Sequence, residues 1–263
     1  NQNIGDKMKM TVIIPYTATN DSLRLEAFNN LIKCIEAQKS KEYELIIVED
    51  LRGKSQSNFP GFSKKQGSIS KLITVNDPQR RPFNKSWIIN IGVKAAIYHN
   101  VFVIDADVLF GNTYFERILD FAQIHPMFFH GYNWIVLLPG RDNPITRVSP
   151  HQYISSTGGT WFANKNFYFN QLGGMNENYF GYGCEDGDMW SRASYLLNGI
   201  PEMNYPLTHQ YHHWHEANGA NPLNPDRAKL LNYTKNHTKE VIEKLKQIKL
   251  GNSNFPTLIN IGI

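Results

Sequence analysis

The sequence predicts an α/β fold with a mostly parallel central sheet flanked by helices. Apolar runs of strand length alternate with segments of helical periodicity along the first half of the chain, and this order is typical of parallel sheets covered on both faces. The run at 101–110, VFVIDADVLF, then places two acids directly after an apolar stretch. Because ligands of open α/β sheets bind at the carboxyl ends of the strands, this run also predicts where a ligand lies.

The composition indicates one globular domain spanning residues 1–263. The chain is 41% hydrophobic and 19% charged, and 27 Lys and Arg against 23 Asp and Glu give a net charge of only +4. This charge is far below the basic surface expected of a nucleic-acid-binding protein. A membrane span requires about 18 consecutive apolar residues, and no apolar run in the sequence approaches that length. We therefore expect a soluble chain.

The two cysteines, Cys34 and Cys184, make neither a disulfide framework nor a zinc pattern. Their scarcity favours a reducing compartment, and we expect a cytoplasmic protein of bacterial type. The alternative is the luminal domain of a membrane-anchored protein. Peripheral association with a membrane is compatible with either, and the sequence does not predict an oligomeric state.

The first predicted elements are a strand and a helix. Residues 10–16, MTVIIPY, indicate a buried strand that stops at Pro15, because proline lacks the N–H that a central strand requires. Residues 21–38 carry apolar side chains at helical spacing, and Asp21 or Asn20 can cap this helix.

A second strand at 43–48 ends in Glu49 and Asp50. A right-handed crossover between this strand and the first one brings both strand ends to the same edge of the sheet. Asp50 can then face the same crevice as Asp105. A solvated strand end is the alternative interpretation of Asp50.

Another strand–helix–strand unit follows a polar loop at 51–70. Residues 71–75 predict a short third strand, and a helix that opens at 82–86 leads directly into the strand before Asp105. The predicted apolar face of that helix consists of Trp87, Ile88, Ile91, Ala95 and Ile97. The later predicted elements are a helix at 113–122, a strand at 132–138 and a terminal helix at 226–250.

Asp105 and Asp107 form a D-x-D pair at the end of the fourth predicted strand. Two carboxylates without a neighbouring Lys or Arg repel each other unless a cation lies between them. A divalent metal that carries a diphosphate would supply that cation. The alternative is a strand-ending turn whose aspartates cap the following helix.

A second acidic segment occurs at 181–188, GYGCEDGD, ahead of a helix predicted at 189–197. Acids at the start of a helix are stabilised by its dipole, so capping is one explanation. Three acids exceed what capping needs, and the aromatic ring of Tyr182 beside them suits stacking on a sugar. The acids are Glu185, Asp186 and Asp188.

Four histidines lie within residues 208–215, THQYHHWH. Imidazole is the commonest metal ligand, and His212 and His215 are spaced so that both can reach one ion. Asp107 would add the oxygen ligand of a mixed nitrogen and oxygen site.

Three motifs resemble segments of the β-1,4-galactosyltransferase family, in the same order and at similar separations. FNKSWIINIGV…FVIDADVLF is similar to that family's F-N-R-A-K-L-L-N-V-G-F…F-x-D-V-D-L, and LGGMNENYFGYGCEDGD is similar to its I-N-G-F…W-G-W-G-G-E-D-D-D. HHWHEANGANPLNPDR resembles M-I-R-H…N-E-P-N-P-x-R. Domains of bacterial chondroitin-polymerase type and polypeptide GalNAc-transferases share the glycine-aromatic-acidic motif. The resemblance implies a GT-A glycosyltransferase fold.

The resemblance implies a nucleotide-binding half at about 8–110, an acceptor and metal half at about 111–227, and a helix and tail at 228–263. It also implies Mn²⁺ on Asp107 and His215, and His212 stands where the family has a methionine ligand. Because imidazole replaces a soft thioether, we expect activity with Mg²⁺ as well. Asp105 would contact the ribose or sugar of a UDP-sugar donor.

The remaining implied site residues bind the nucleotide, the acceptor or its proton. Phe83 and Lys85 would line the nucleotide pocket, Pro15 and Tyr16 would bracket the uracil, and Asp50 would contact uracil or ribose. Asp186 matches the catalytic base, with Glu185 beside it. The residues expected at the acceptor or sugar are Gly159, Trp161, Tyr182, Asp188 and Trp214, and each of the three aromatic residues has burial in the core as its alternative.

Three departures from the family pattern affect these assignments. Residues 17–19 replace arginines, Lys85 replaces the arginine of F-N-R, and Gly187 replaces the third acid of E-D-D-D. The expected function is transfer, with inversion, of a hexose or N-acetylhexosamine, preferably of galactose type, from a UDP-sugar to a saccharide hydroxyl. The alternative is a metal-dependent sugar-nucleotide-binding module without catalysis.

Overall fold

The computed structural model describes residues 8–17, 21–55, 57, 71–138, 158–201, 209–213, 222 and 224–260, and the backbone of 146–148. The strands are β1 Met10–Thr17, β2 Tyr43–Asp50, β3 Lys71–Val75, β4 Asn100–Ile104, β5 Val108–Leu109, β6 Phe128–His130, β7 Trp134–Leu137, β8 Thr146–Val148, β9 Thr160–Asn164 and β10 His209–His212. The helices are α1 Ser22–Glu36, α2 Lys85–Ala95, α3 Tyr114–Ile124, α4 Glu185–Leu197, α5 Arg227–Asn236 and α6 Thr238–Lys246, with a π-helical turn at Phe167–Gln171.

A six-stranded sheet in the order β3-β2-β1-β4-β9-β6 forms the centre of the molecule. Strands β3, β2, β1 and β4 run parallel, and β9 is antiparallel to both of its neighbours. A smaller sheet in the order β5-β10-β7-β8 lies beyond the end of β4. The predicted α/β fold with a mostly parallel, helix-covered sheet is confirmed.

Alternate residues of the central strands face two different apolar cores. On β1, Val12 and Ile14 join a core with Phe28 of α1 and Phe115 of α3. Ile13 points the other way, into a core with side chains of α2 and α4. Strands that are buried on both faces read as continuous apolar runs, which explains the sequence pattern from which they were predicted.

Side chains at the predicted helix boundaries cap α1 and α2. Asp21 caps α1 by accepting a hydrogen bond from the Leu23 N–H at 2.9 Å. Asn84 caps α2 by accepting one from the Trp87 N–H at 2.9 Å. Helix α2 ends at Ala95, so Ile97, predicted on its apolar face, lies outside the helix and is 63% exposed.

Strand β1 does not stop at Pro15 but continues to Thr17. Its pairing with β4 covers only residues 11–13, whereas its pairing with β2 continues to Thr17. Pro15 therefore lies where the strand has one paired neighbour, and the missing N–H removes no hydrogen bond from the side of β4.

The segment predicted as one terminal helix at 226–250 is two helices, α5 and α6, separated at His237. Leu230, Val241 and Leu245 bury their side chains in a third apolar cluster together with Tyr179. Among the described residues, none of the helices combines the length and the apolar character needed to cross a bilayer.

The buried carboxylate of Glu177 joins three separate parts of the chain. It accepts hydrogen bonds from the side chain of Asn90 on α2 at 2.8 Å and from the N–H of Gly251 at 2.8 Å, and the Thr257 N–H donates to its second oxygen. Burial raises the pKa of Glu177 to about 7, against the lowering effect of these hydrogen bonds. The segment 251–257 is thereby attached to the helix that opens with Lys85.

We predict that Glu177 makes folding stability depend on pH. Its folded-state pKa of about 7 lies above the ordinary value of 4.5. Protonation of Glu177 therefore stabilises the fold fully at a pH below 4.5, and this stabilisation is lost as the pH rises through 7. Between about pH 5 and about pH 8, the free energy of unfolding should fall by on the order of 2–3 kcal/mol more in the wild type than in Glu177→Gln.

Urea unfolding at both pH values measures this difference. Glu116→Gln, on the exposed side of α3, is the matched control and should keep the wild-type pH dependence. Parallel pH dependences in the wild type and in Glu177→Gln would contradict the prediction.

Candidate active site

The D-x-D pair lies at the carboxyl end of β4 and is fastened to the start of β9. The Asp105 N–H donates to the Gly159 carbonyl at 2.7 Å, and Asp105 Oδ2 accepts from the Gly159 N–H at 2.9 Å. A Cβ at position 159 would lie 2.0 Å from Gln210 Nε2. The space beside Gly159 is therefore filled by Gln210 on the side where a Cβ would lie, and a role of Gly159 at the acceptor or sugar stays a prediction.

Lys85 brings the D-x-D pair and the acidic segment together. Its Nζ lies 2.8 Å from Asp105 Oδ1 and 3.0 Å from Asp186 Oδ2. Burial alone would lower the pKa of Lys85, but the carboxylates of Asp105, Asp186 and Glu185 raise it well above its usual value. Burial raises the pKa of Asp105, and the charge of Lys85 opposes this rise.

The presence of Lys85 corrects one premise of the sequence argument. Asp105 does have a cationic neighbour, contributed by the first residue of α2, 20 positions earlier in the chain. The repulsion between the two D-x-D carboxylates alone is therefore no argument for a metal, and any metal assignment depends on the ligands themselves.

Helix α4 begins at Glu185, four residues earlier than predicted, so the acids occupy its first turn. Asp186 is 2% exposed, and its Oδ1 has no hydrogen-bond partner among the described residues. Glu185 Oε2 accepts the Gly183 N–H at 3.1 Å. Burial and the adjacent Asp186 raise the pKa of Glu185 to about 7.

A tight turn at 181–183 presents an aromatic ring beside these acids. Gly181 and Gly183 have φ values of 82° and 114°, which favour glycine, and Cys184 adopts a left-handed φ of 71° to start the helix. The Gly181 N–H donates to the Phe83 carbonyl at 2.9 Å, which ties the turn to the residue before Asn84. The side chain of Tyr182 is 52% exposed and is available to a ligand.

Asp107 and His212 are brought together by the second sheet. Strand β10 pairs with β5 so that His212 lies opposite Val108, and His212 Nε2 is 3.6 Å from Asp107 Oδ2. A carboxylate oxygen and an imidazole nitrogen at this separation fit a divalent transition metal. His215 and Trp214 lie outside the described residues, among which no group of three or more metal-ligating side chains is assembled.

The residues predicted around the uracil are less accessible than expected. Pro15 is buried, and Tyr16 is 4% exposed with its ring centroid 4.5 Å from that of Phe28. The Tyr16 ring belongs to the core, because it points from β1 toward α1, and it is not available to stack on a base. Phe83 is partly buried against the core beneath α2.

Asp50 lies at the same edge of the central sheet as Asp105, two strands away. It ends β2, which is separated from β4 by β1, and its carboxylate accepts the Arg52 N–H at 3.0 Å. Burial raises the pKa of Asp50. Its position at the carboxyl edge of the sheet matches the prediction, but the structure shows no contact between it and the D-x-D pair.

Two residues predicted at the acceptor are structural. Trp161 is 2% exposed on β9 and stacks on Tyr168 at 5.6 Å between ring centroids. Asp188 is fully buried, with Oδ2 2.7 Å from Arg192 Nη2 and Oδ1 bonded to Thr234. Trp161 is engaged by ring stacking, and Asp188 by its ion pair and by Thr234. The i,i+4 spacing of Asp188 and Arg192 on one helix was the sequence signal for this ion pair.

Comparison with solved structures identifies the fold. The structure of TarS of S. aureus superposes with a TM-score of 0.53 at 12% identity, over 87% of this chain and 39% of that chain. TarS 1-349 in complex with UDP gives 0.54 at 13% identity, over 90% and 70% of the two chains. TarS 1-349 in complex with UDP-GlcNAc gives 0.51 at 14% identity, over 80% and 60%.

The chain has the GT-A glycosyltransferase fold. It spans well under half of the full TarS chain. The family model for the N-terminal domain of galactosyltransferase matches residues 147–216, about a quarter of the sequence. No curated protein matches significantly. The predicted resemblance to galactosyltransferases is confirmed over this segment, which contains the start of α4 and strand β10.

We predict that Asp188 contributes to stability and not to acceptor binding. Asp188→Asn leaves the fully buried guanidinium of Arg192 without its carboxylate, which should cost about 3–5 kcal/mol in the free energy of unfolding. Urea unfolding measures the loss. Asp226→Asn is the control, since Asp226 pairs with Lys229 at the surface. Unchanged stability in Asp188→Asn would contradict the structural role.

Proposed function

We propose that the chain is a metal-dependent glycosyltransferase that moves a hexose or N-acetylhexosamine from a UDP-sugar to a saccharide hydroxyl with inversion. The observation that carries this proposal is the position of Asp186, which is joined through Lys85 to Asp105 at the end of β4. Asp186 is a buried carboxylate, and one of its oxygens has no hydrogen-bond partner within the described part of the chain. A base for an acceptor hydroxyl thus lies beside the strand end where GT-A folds bind their donor.

Asp186 is the group assigned to remove the acceptor proton. Its Oδ1 accepts a hydrogen bond from the attacking hydroxyl and takes the proton while the hydroxyl oxygen attacks the anomeric carbon, on the face opposite the departing UDP. The neighbouring Glu185 holds the glycine turn through the Gly183 N–H.

Lys85 allows the base to lie close to an anionic donor. Its ammonium group lies between Asp105 and Asp186 and reduces the repulsion between those carboxylates and the diphosphate of UDP. The exposed ring of Tyr182 lies in the turn before α4 and is the candidate surface for stacking of the acceptor sugar.

The metal would be held by Asp107 and His212, with His215 as a further ligand from the family resemblance. The 3.6 Å between Asp107 Oδ2 and His212 Nε2 supports the first two. Bound there, a divalent ion would neutralise charge on the leaving diphosphate. Our expectation that Mg²⁺ can replace Mn²⁺ rests on His212 occupying the position of the family's softer methionine ligand.

The direct test is UDP release. The donors are UDP-galactose, UDP-glucose, UDP-N-acetylglucosamine and UDP-N-acetylgalactosamine, each with Mn²⁺, Mg²⁺ or EDTA, and with or without a set of p-nitrophenyl glycosides and disaccharides. The panel contains both galactose and N-acetylglucosamine donors, since a galactosyltransferase model matches the chain and a TarS complex contains UDP-GlcNAc.

Metal-dependent release that rises with one donor and one acceptor would support the proposal, and NMR of the product's anomeric configuration tests inversion. UDP binding without release from any pair would favour the non-catalytic binding module.

We predict that Asp186→Asn reduces sugar transfer by about 10²- to 10⁴-fold, the contribution typical of a general base, and leaves the dissociation constant of UDP within about twofold. The amide keeps the shape of the side chain but cannot accept the proton. Asp120→Asn, on the exposed side of α3, is the matched control. Transfer at the wild-type rate in Asp186→Asn would remove this residue from the base role.

We predict that His212→Ala lowers Mn²⁺ affinity by about tenfold or more, because one of the assigned ligands is lost. Electron paramagnetic resonance of free Mn²⁺ measures the binding directly, without a need for turnover. His237→Ala, at the junction of α5 and α6, is the control and should bind Mn²⁺ as the wild type does. Unchanged affinity in His212→Ala would exclude it from the ligand set.

A further inference from the structure

The loop between β3 and α2 contains an arginine held in one orientation by a carboxylate. Arg81 Nε donates to Asp77 Oδ2 at 2.7 Å, and Arg81 Nη2 donates to Asp77 Oδ1 at 3.1 Å. The same carboxylate accepts the N–H groups of Gln79 and Arg81, so it fixes the backbone of the loop as well. A two-point contact of this kind leaves the guanidinium plane little freedom.

The oriented guanidinium lies over the ring of Phe180. Arg81 Cζ is 4.6 Å from the ring centroid, within the range of a cation–π contact. Phe180 is half-buried and directly precedes the glycine turn that carries Tyr182. The contact therefore links the loop that leads into Lys85 with the turn assigned to the acceptor.

The turn is held from two sides by other hydrogen bonds. On one side the Gly181 N–H donates to the Phe83 carbonyl at 2.9 Å, two residues beyond Arg81. On the other side the Tyr182 N–H donates to the Pro222 carbonyl at 2.9 Å, and the Asn224 N–H donates to the Tyr182 carbonyl at 3.2 Å. These hydrogen bonds position the backbone of the turn.

We propose that Arg81 is a positioning residue that fixes the Tyr182 turn through Phe180 and thereby makes acceptor binding depend on the loop that carries the donor-site lysine. The existence of an acceptor in this inference rests on the proposed function. The link from Arg81 to the turn rests on the observed contacts. Arg81 has no assigned contact with either substrate. Its effect on acceptor binding is carried by the ring of Phe180.

The first experiment is hydrogen exchange of the peptide that contains residues 179–184, followed by mass spectrometry. In Arg81→Gln the amides of Gly181 and Tyr182 should exchange about 3- to 10-fold faster than in the wild type, the ratio expected for loss of one cation–π contact. Arg117→Gln, on α3 across the sheet, is the control and should leave this peptide unchanged. Unchanged exchange in Arg81→Gln overturns the proposal whatever the activity.

The second experiment uses the donor and the p-nitrophenyl glycoside that show transfer in the panel. Arg81→Gln and Phe180→Leu should each raise the KM of the glycoside about 3- to 10-fold, with the dissociation constant of UDP within about twofold. The double variant should be no worse than either single variant, since both remove the same contact. Phe180→Tyr keeps a ring beneath the guanidinium and should retain the wild-type KM.

The outcomes separate this inference from the proposed function. Faster exchange with an unchanged glycoside KM overturns the inference, because the contact would then be structural only, and additive effects in the double variant overturn it too. If the wild type transfers no sugar to any acceptor while Arg81→Gln exchanges faster, the proposed function has failed and the positioning contact stands.

Discussion

The ion pairs of Lys85 with Asp105 and Asp186 are the interaction on which the rest of the site depends. An ammonium group between two carboxylates that are largely removed from water is stable only because both partners lie within 3.0 Å. Asp105 directly follows β4, Asp186 lies in the first turn of α4, and Lys85 starts α2. A single cation therefore sets the distance between the end of β4 and the start of α4.

Much of this arrangement was predictable, because strands buried on both faces leave an unmistakable apolar pattern and their ends mark the ligand edge. The D-x-D pair, the acids of α4 and the approach of His212 to Asp107 were all predicted from residue type and spacing. Asp107 lies beside His212 because β5 pairs with β10. The sequence showed that the two residue types could share a metal, but it did not show this pairing.

The failures have a common physical origin. Trp161, Tyr16 and Asp188 were assigned to ligands from residue type and from the family resemblance. Each side chain is buried in the interior, and its direction depends on the register of strands and helices. The sequence could not show that Lys85 reaches Asp105, since 20 residues separate them in the chain and only the packing of α2 on the sheet brings them together.

The attachment of the segment 251–259 to the first half of the fold has a consequence for how the chain is made. Asn252 accepts a hydrogen bond from Trp87, 165 positions earlier, and Ile259 pairs with the side chain of Asn178. Helix α2 therefore lacks part of its native surroundings while this segment is still inside the ribosome. Helix α2 and the strands that it covers should therefore complete their folding only after the segment 251–259 has left the ribosome.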